Sequence, residues 1–206
     1  MELQPAAQRR QRQREQTRRA ILEATESLLV EGGAQRFSMR RLADRCGYTA
    51  PTVYHYFGDK QGLLDALLEE RFEQLLKRLR RVPTSADPMQ RARQLSRAFV
   101  RFGVAHPTHY RLLIAPRPDG SRPPSAEKCI ELFDEPMQAL AEQGRLVLDQ
   151  DAAQQAAWAT MHGLILLRSE HPDHPWARNL SNQAIDMMLR GMSAPESPSD
   201  RNGAPE

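Results

Sequence analysis

The 206-residue sequence has few of the features that mark secreted, membrane-embedded or redox proteins. Its two cysteines, Cys46 and Cys129, are too few for a disulfide framework and fit a reducing compartment. It has no apolar run long enough to span a bilayer and no signal-peptide segment of the usual kind. Aromatic residues make up 6% and apolar residues 40%, which suits a helical soluble protein. We therefore expect a cytoplasmic protein.

Catalytic and metal-binding patterns are also missing. The sequence has no HExxH or CxxC motif, no glycine-rich phosphate loop and no nucleophile elbow. Two histidine pairs, His106 with His109 and His171 with His174, lie beside prolines and lack a cysteine or carboxylate at ligand spacing. Loop or capping roles are favoured over zinc binding. We predict no enzyme active site, no metal and no cofactor.

The net charge of +3 is unevenly distributed along the chain. Residues 1–60 carry 11 Lys or Arg against 7 Asp or Glu, whereas residues 61–206 carry 18 against 19. A basic amino-terminal part is what phosphate binding requires. We predict a flexible basic arm over residues 1–16. Two roles stay open for it: contact with a DNA backbone or minor groove, or a solvated tail.

Residues 37–60 are the stretch around which the chain is organised. Ser38 is a good helix N-cap, and Gly47 ends the first short helix in a conformation that favours glycine. Thr49 then caps a second helix, with Pro51 in its first turn. Small Ala43 lets the two helices cross closely. This order predicts a helix-turn-helix.

A helix-turn-helix places its second helix in the DNA major groove, so the outward side chains are candidate DNA contacts. None of the residues on that helix is acidic. The alternative is a plain helical hairpin with a solvated outer face. We predict that base edges are read by Arg40, Thr49, Ala50 and Thr52, that the DNA backbone is bound by Ser38, Tyr54, Tyr56 and Lys60, and that Pro51 and His55 complete the surface.

The segments TRRAILEATESLLVEGG and FSMRRLADRCGYTAPTVYHYFGDKQGLLDAL resemble the tetracycline-repressor (TetR) family of bacterial transcriptional regulators. The resemblance covers residues 17–68. It implies a three-helix DNA-binding domain, a connecting helix and a helical ligand-binding and dimerisation domain, with Lys60 at the DNA backbone. The run AAWATMHGLILL resembles the Trp-x-x-x-His-Gly signature of one subgroup of such carboxyl-terminal domains.

We therefore predict an all-α protein. Its helix-turn-helix domain spans residues 17–60, and its ligand-binding and dimerisation domain spans 61–192, beginning with a connecting helix over 61–81. Residues 193–206 are predicted to be disordered. The last two long helices have wide apolar faces, which fit either the interior of a monomeric bundle or a homodimer seam. The seam is preferred, because two-fold pairing supplies two DNA half-sites.

A ligand pocket is implied by the resemblance. The expected effector is apolar or neutral, and the function expected of the chain is ligand-responsive repression from a palindromic operator. Two rivals remain: a non-specific architectural protein, and an enzyme or small-molecule-binding module that keeps only a helix-turn-helix-like hairpin. The candidate pocket residues, each of which could equally be ordinary core, are Phe99, Phe102, Tyr110, Leu113, Trp158, Met161 and His162.

Overall fold

The computed structural model describes residues 5–115 and 120–194, and these contain nine α-helices. Within these ranges, β pairing is limited to one isolated bridge between Leu146 and Ser193. The predicted all-α class is confirmed. The helices are α1 (Pro5–Arg36), α2 (Met39–Cys46), α3 (Ala50–Phe57), α4 (Lys60–Leu79), α5 (Pro88–Ala105), α6 (Pro107–Leu113), α7 (Pro124–Glu142), α8 (Gln150–Glu170) and α9 (Leu180–Met192).

The chain divides into two compact units. The first comprises residues 1–71 and 111–123, and the second comprises residues 72–110 and 124–206. The first unit extends beyond the domain end predicted at residue 60, because Leu63 and Leu67 of α4 join its core. No described helix has the length and apolar character needed to cross a membrane.

A single apolar core holds the first unit together. Its aliphatic and aromatic side chains recur every three or four residues, so they lie on one face of each helix and are buried there. Gly33, with φ 65° and ψ 177°, breaks the regular geometry of α1 near its end. The buried residues of this core are Ile21, Leu22, Leu28, Phe37, Leu42, Val53, Phe57, Leu63 and Leu67.

The amino-terminal arm is helical where the sequence predicted a flexible segment. Residues 5–16 were expected to be unstructured, but α1 begins at Pro5 and runs without a break through Thr17. The physical reason lies in the composition of the segment. Arg, Gln, Ala and Glu are all good helix formers, and the Gln11 amide donates to the Glu15 carboxylate one turn later at 2.9 Å.

The second unit is built around α5, which packs against α7, α8 and α9. Asp87 caps α5 by accepting hydrogen bonds from the backbone N–H groups of Met89 and Gln90. Gly103 lies directly against Ile165 of α8, where an added Cβ would come within 2.5 Å of the isoleucine side chain. Only glycine allows this approach of the two helices.

The start of the predicted disordered tail also differs from the prediction. Ser193 and Ala194 belong to the ordered fold, because the Ala194 N–H donates to the carbonyl of Arg145 and Ser193 forms the bridge to Leu146. The rest of the predicted disordered tail lies outside the described residues.

Candidate nucleic-acid interface and effector site

Helices α2 and α3 form the helix-turn-helix predicted from the sequence. The Ser38 Oγ accepts from the Arg41 N–H at 3.3 Å and caps α2. Gly47 ends α2 with φ 72° and ψ 17°, the left-handed conformation expected of a tight turn. The Thr49 Oγ1 then accepts from the Thr52 N–H at 3.4 Å and caps α3. The buried side chains of Val53 and Phe57 fasten α3 to the core.

The predicted DNA-contacting residues lie on α2, on α3, at the N-caps of these helices and at the start of α4. None is fully buried: Ala50, Thr52 and Tyr56 are half-buried, and the other members of the set are exposed. Among them, Tyr54 keeps 46% of its accessible surface. The exposed members are Ser38, Arg40, Thr49, Pro51, Tyr54, His55 and Lys60.

Some charged residues near this surface bind other groups of the protein, and others form no described ion pair. Arg45 forms a bidentate ion pair with Glu31 at 2.7 and 2.8 Å, and this hydrogen bonding lowers the pKa of Glu31. The Arg41 guanidinium donates to the carbonyl of Arg36 at 2.7 Å. Arg40 and Lys60, in contrast, form no described ion pair.

Acidic residues near this surface lie outside α3: Asp44 on α2 and Asp59 after α3, both exposed. No residue of α3 is acidic, and Asp59, just after α3, uses its carboxylate to accept from the Gly62 N–H at 2.8 Å. Lys60 begins α4, with its ammonium 5.4 Å from the centre of the Phe37 ring. A lysine at a helix amino terminus is unfavourable for the helix dipole, and a bound phosphate would offset that cost.

The second unit contains a cluster of rings around Phe99 of α5. Its centroid lies 5.8 Å from Phe133, 6.3 Å from Tyr110 and 5.5 Å from His162, while Trp158 lies 4.5 Å from His162. Four of the seven predicted pocket residues are therefore brought together. Phe133 was not predicted, since only its place on the inner stripe of α7 could have indicated it.

The other three predicted pocket residues, Phe102, Met161 and Leu113, form no described ring contact with the cluster around Phe99. Phe102 packs against His106 rather than joining this aromatic cluster, and Met161 is a buried residue of α8. Leu113 falls within the first unit. Trp158 keeps 61% of its accessible surface, and its place in a ligand pocket stays a prediction.

A polar pair lies within the aromatic cluster. The Tyr110 hydroxyl is 2.5 Å from Nδ1 of His162. Burial lowers the pKa of His162 to about 4 and raises the pKa of Tyr110, so both groups are neutral at pH 7. In the tautomer in which the phenol donates to Nδ1, the imidazole proton lies on Nε2 and makes Nε2 a hydrogen-bond donor.

Metal ligation has no support in the part of the chain that the structure describes. Within residues 5–115 and 120–194, no three His, Cys, Asp or Glu side chains gather as a metal site would require. The His106 and His109 rings stack with centroids 5.2 Å apart, and His174 lies against Trp176.

An exposed, acid-free α3 held against α2 by a left-handed glycine defines a helix-turn-helix protein. Residues 21–67 match the family described as Bacterial regulatory proteins, tetR family. Residues 92–192 match the Tetracyclin repressor-like, C-terminal domain. The chain belongs to the TetR family of bacterial regulators.

Curated relatives match over part of their length. The HTH-type transcriptional repressor KstR of Rhodococcus jostii is 34% identical over 88 residues, which are 41% of this chain and 41% of KstR. The HTH-type transcriptional activator FasR of Mycolicibacterium smegmatis is 31% identical over 101 residues, covering 48% of this chain and 46% of FasR. The alignments thus span less than half the length of these relatives.

Solved structures match over most of the chain. A TetR family regulator from Marinobacter aquaeolei superposes with a TM-score of 0.72 at 18% identity, covering 90% of this chain and all of that one. The regulator FadR of Bacillus subtilis, in complex with stearoyl-CoA, has a TM-score of 0.66 at 16% identity and covers 84% of this chain and 98% of its own. At these identities the likeness concerns the fold.

Proposed function

We propose that this protein is a transcriptional repressor that binds a palindromic operator as a homodimer in the cytoplasm. A small apolar or neutral molecule releases it. The observation that carries the proposal is the outer surface of α2, α3 and the start of α4. There, exposed polar side chains lie near Arg40 and Lys60, which form no ion pair among the described residues, and α3 itself has no acidic residue. Such a surface suits a groove lined by phosphates.

The interface residues divide by chemistry. Arg40, Thr49, Ala50 and Thr52 lie at the beginning of the two helices, where a helix-turn-helix meets base edges. Ser38, Tyr54, Tyr56 and Lys60 supply hydroxyl and ammonium groups for phosphates. Pro51 and His55 lie beside them on α3.

The homodimer is proposed to form through α8 and α9. Large apolar side chains are exposed on both helices: Trp158 by 61%, Leu167 by 53% and Met187 by 67%. Small Ala159 and Gly163 lie between Trp158 and Leu167 on the outer face of α8, which favours close packing of a second helix. Exposed apolar surface of this kind is typical of an interface between subunits.

The effector is proposed to bind at the aromatic cluster around Phe99. The cluster is apolar except for the neutral pair of Tyr110 and His162, so an anionic group would find no counter-charge among these rings. In the tautomer with its proton on Nε2, His162 can donate to one oxygen of a carbonyl or hydroxyl group. A neutral, largely apolar molecule with such an oxygen fits this arrangement.

The effector signal is proposed to pass through α4. This helix is continuous from Lys60 to Leu79, and we expect an effector that displaces its later turns to change the position of Lys60. The effector must then bind the DNA-free conformation more tightly than the DNA-bound one.

The test is selection of duplexes from a random pool by the purified chain at physiological salt. We expect a palindromic consensus with half-sites about one helical turn apart. Equal retention of all sequences would contradict operator recognition and favour an architectural protein. A tight small-molecule ligand without DNA affinity would favour a binding module.

Activation is a second candidate, because FasR is described as an activator whereas KstR is described as a repressor. Transcription in vitro from a promoter that carries the selected operator separates the two. We expect the added protein to reduce transcript yield and the effector to restore it. A rise in transcript yield would establish activation instead.

A further inference from the structure

The amino-terminal extension, residues 5–16 of α1, is a helix with a strongly basic surface. It contains four arginines, all exposed, and a single acidic residue, Glu15, whose carboxylate accepts from Gln11. A rigid helix holds its arginines at fixed positions, whereas a flexible tail would not. Their effect therefore depends on which face of the extension carries them and on what lies beside that face.

The arginines lie on two opposite faces of the extension. At 100° per residue, Arg10 and Arg14 continue the stripe that carries Thr17 and Ile21, which face the core of the first unit. Arg9 and Arg12 lie on the far side of the helix. Two arginines thus point toward the helix-turn-helix and two point away from it.

Contacts within the first unit bring the inner face of the extension to α3. The Arg14 guanidinium lies 5.9 Å from the centre of the Tyr56 ring, in the last turn of α3. One turn further on, the Arg18 guanidinium lies 5.7 Å from the centre of the Phe57 ring. Arg10 and Arg14 form no described ion pair, so their charges are available to another molecule.

We propose that Arg10 and Arg14 bind phosphates of the DNA strand that flanks the segment read by α3. The extension is then a preformed helical clamp that lengthens each half-site beyond the reach of the helix-turn-helix. Guanidinium groups bind phosphate oxygens through paired N–H donors, and the stacked Tyr56 ring holds Arg14 at the edge of the interface. This inference rests on the proposed function.

The experiment compares two double variants of the full chain, Arg10→Gln with Arg14→Gln and the matched control Arg9→Gln with Arg12→Gln. Each removes two charges from the same helix, and glutamine keeps the helical propensity. Affinity for the selected operator, carrying about ten flanking base pairs on each side by design, is measured by fluorescence anisotropy between roughly 50 and 200 mM salt. Circular dichroism checks that both variants fold.

We expect the inner-face variant to lower the salt slope by about 2 per half-site, since each phosphate contact contributes about 0.9. Its affinity deficit at about 50 mM salt is then roughly tenfold larger than at about 200 mM for each half-site. The outer-face control should lose much less. On a duplex trimmed to the bases read by α3, parent and inner-face variant should bind alike.

Equal losses in the two double variants would overturn the proposal in favour of general charge attraction. No loss in either would overturn it as well, while leaving operator binding by α2 and α3 intact. The single variant Arg10→Gln separates phosphate binding from disturbance of Tyr56, because only Arg14 contacts that ring. A parent chain that selects no duplex would overturn the proposed function, and this inference with it.

Discussion

Lys60 is exposed at the first position of α4, where its charge opposes the helix dipole. Its replacement by glutamine tests the proposed role at the DNA backbone. Because a phosphate contact carries no sequence information, we expect affinity for operator and random duplex to fall by the same factor. The salt slope should fall by about 0.9 per half-site. Anisotropy titrations at several salt concentrations measure both quantities.

Lys77→Gln serves as the control for Lys60, since Lys77 is an exposed lysine of the same helix whose described partner is Glu73. It should leave DNA affinity nearly unchanged. A Lys60 variant that loses operator affinity but keeps random-duplex affinity would show that Lys60 reads bases.

The neutral state of His162 predicts a loss of stability in acid. Burial lowers its folded-state pKa to about 4, below the ordinary value of 6.5. The stabilisation that neutral His162 contributes is therefore complete above pH 6.5 and is lost as the pH falls toward 4. Over this range the unfolded chain binds a proton at His162 more readily than the folded chain does. Because the ring is partly exposed, solvent screening reduces this effect. We expect His162 alone to make the free energy of unfolding about 1 kcal/mol lower at pH 5 than at pH 7, as measured by urea denaturation.

His162→Gln is the control for this titration, because it removes the imidazole while retaining a polar side chain. The part of the pH dependence assigned to His162 is the difference between parent and variant, so contributions from other groups cancel. If the variant and the parent lost equal stability between pH 7 and pH 5, the assignment would be wrong.

Thr49 and Trp158 differ in how far the sequence alone determines their surroundings. The Thr49 hydroxyl caps α3 and lies 2.9 Å from the hydroxyl of Thr52. Such a cap is predictable because it depends on a few neighbouring residues. The exposure of Trp158 depends on which neighbours the other helices bring, so it was not predictable. Local chemistry could thus be inferred at α3, whereas the composition of the aromatic cluster could be inferred only in part.

At the scale of elements, α1 and α4 are joined by a buried ion pair in the first unit. The Arg71 guanidinium donates to the Glu26 carboxylate at 2.6 and 3.1 Å, and both residues are buried. Arg71→Met leaves the Glu26 charge buried without this partner. We expect the free energy of unfolding to fall by about 3–5 kcal/mol, as measured by urea denaturation.

The double variant Glu26→Leu with Arg71→Met distinguishes a charge effect from a packing effect. A pair of apolar side chains in place of a buried ion pair is often tolerated, so most of the lost stability should return. The single variant Glu26→Leu is measured as well. If the loss of unfolding free energy in the double variant equalled the sum of the losses in the two single variants, packing rather than the unpaired carboxylate would be responsible.

Elements with strong local signals were predicted well, and elements decided by weak preferences were not. The boundaries of α2 and α3 follow from Ser38, Gly47 and Thr49. The amino-terminal extension has no apolar face of its own, so periodicity could not reveal that it continues α1. The domain end at residue 60 stays a prediction, and periodicity alone does not show that Leu63 and Leu67 of α4 pack into the core of the preceding helices.

At the scale of the whole molecule, the proposed homodimer can be broken at Met187. This side chain is 67% exposed on α9, and a glutamate there would place a charge inside the proposed seam. We expect Met187→Glu to elute as a monomer in size-exclusion chromatography with light scattering. Operator affinity should fall at least about a hundredfold, because a monomer engages one half-site.

Ile130→Glu is the matched control for the seam. Ile130 is also an exposed apolar residue, at 41%, but it lies on α7. This variant should remain dimeric. A monomeric Ile130 variant with a dimeric Met187 variant would assign the interface to a surface that includes α7 instead of α9.

The contact of Gly103 with Ile165 has a consequence for how this sequence can change over evolutionary time. An alanine at position 103 would collide with the isoleucine, so position 103 cannot change while Ile165 remains. Lineages that acquire a larger residue at position 103 must first have acquired a smaller one at position 165. The two positions should therefore vary together among descendants of a common ancestor, with glycine retained wherever isoleucine persists.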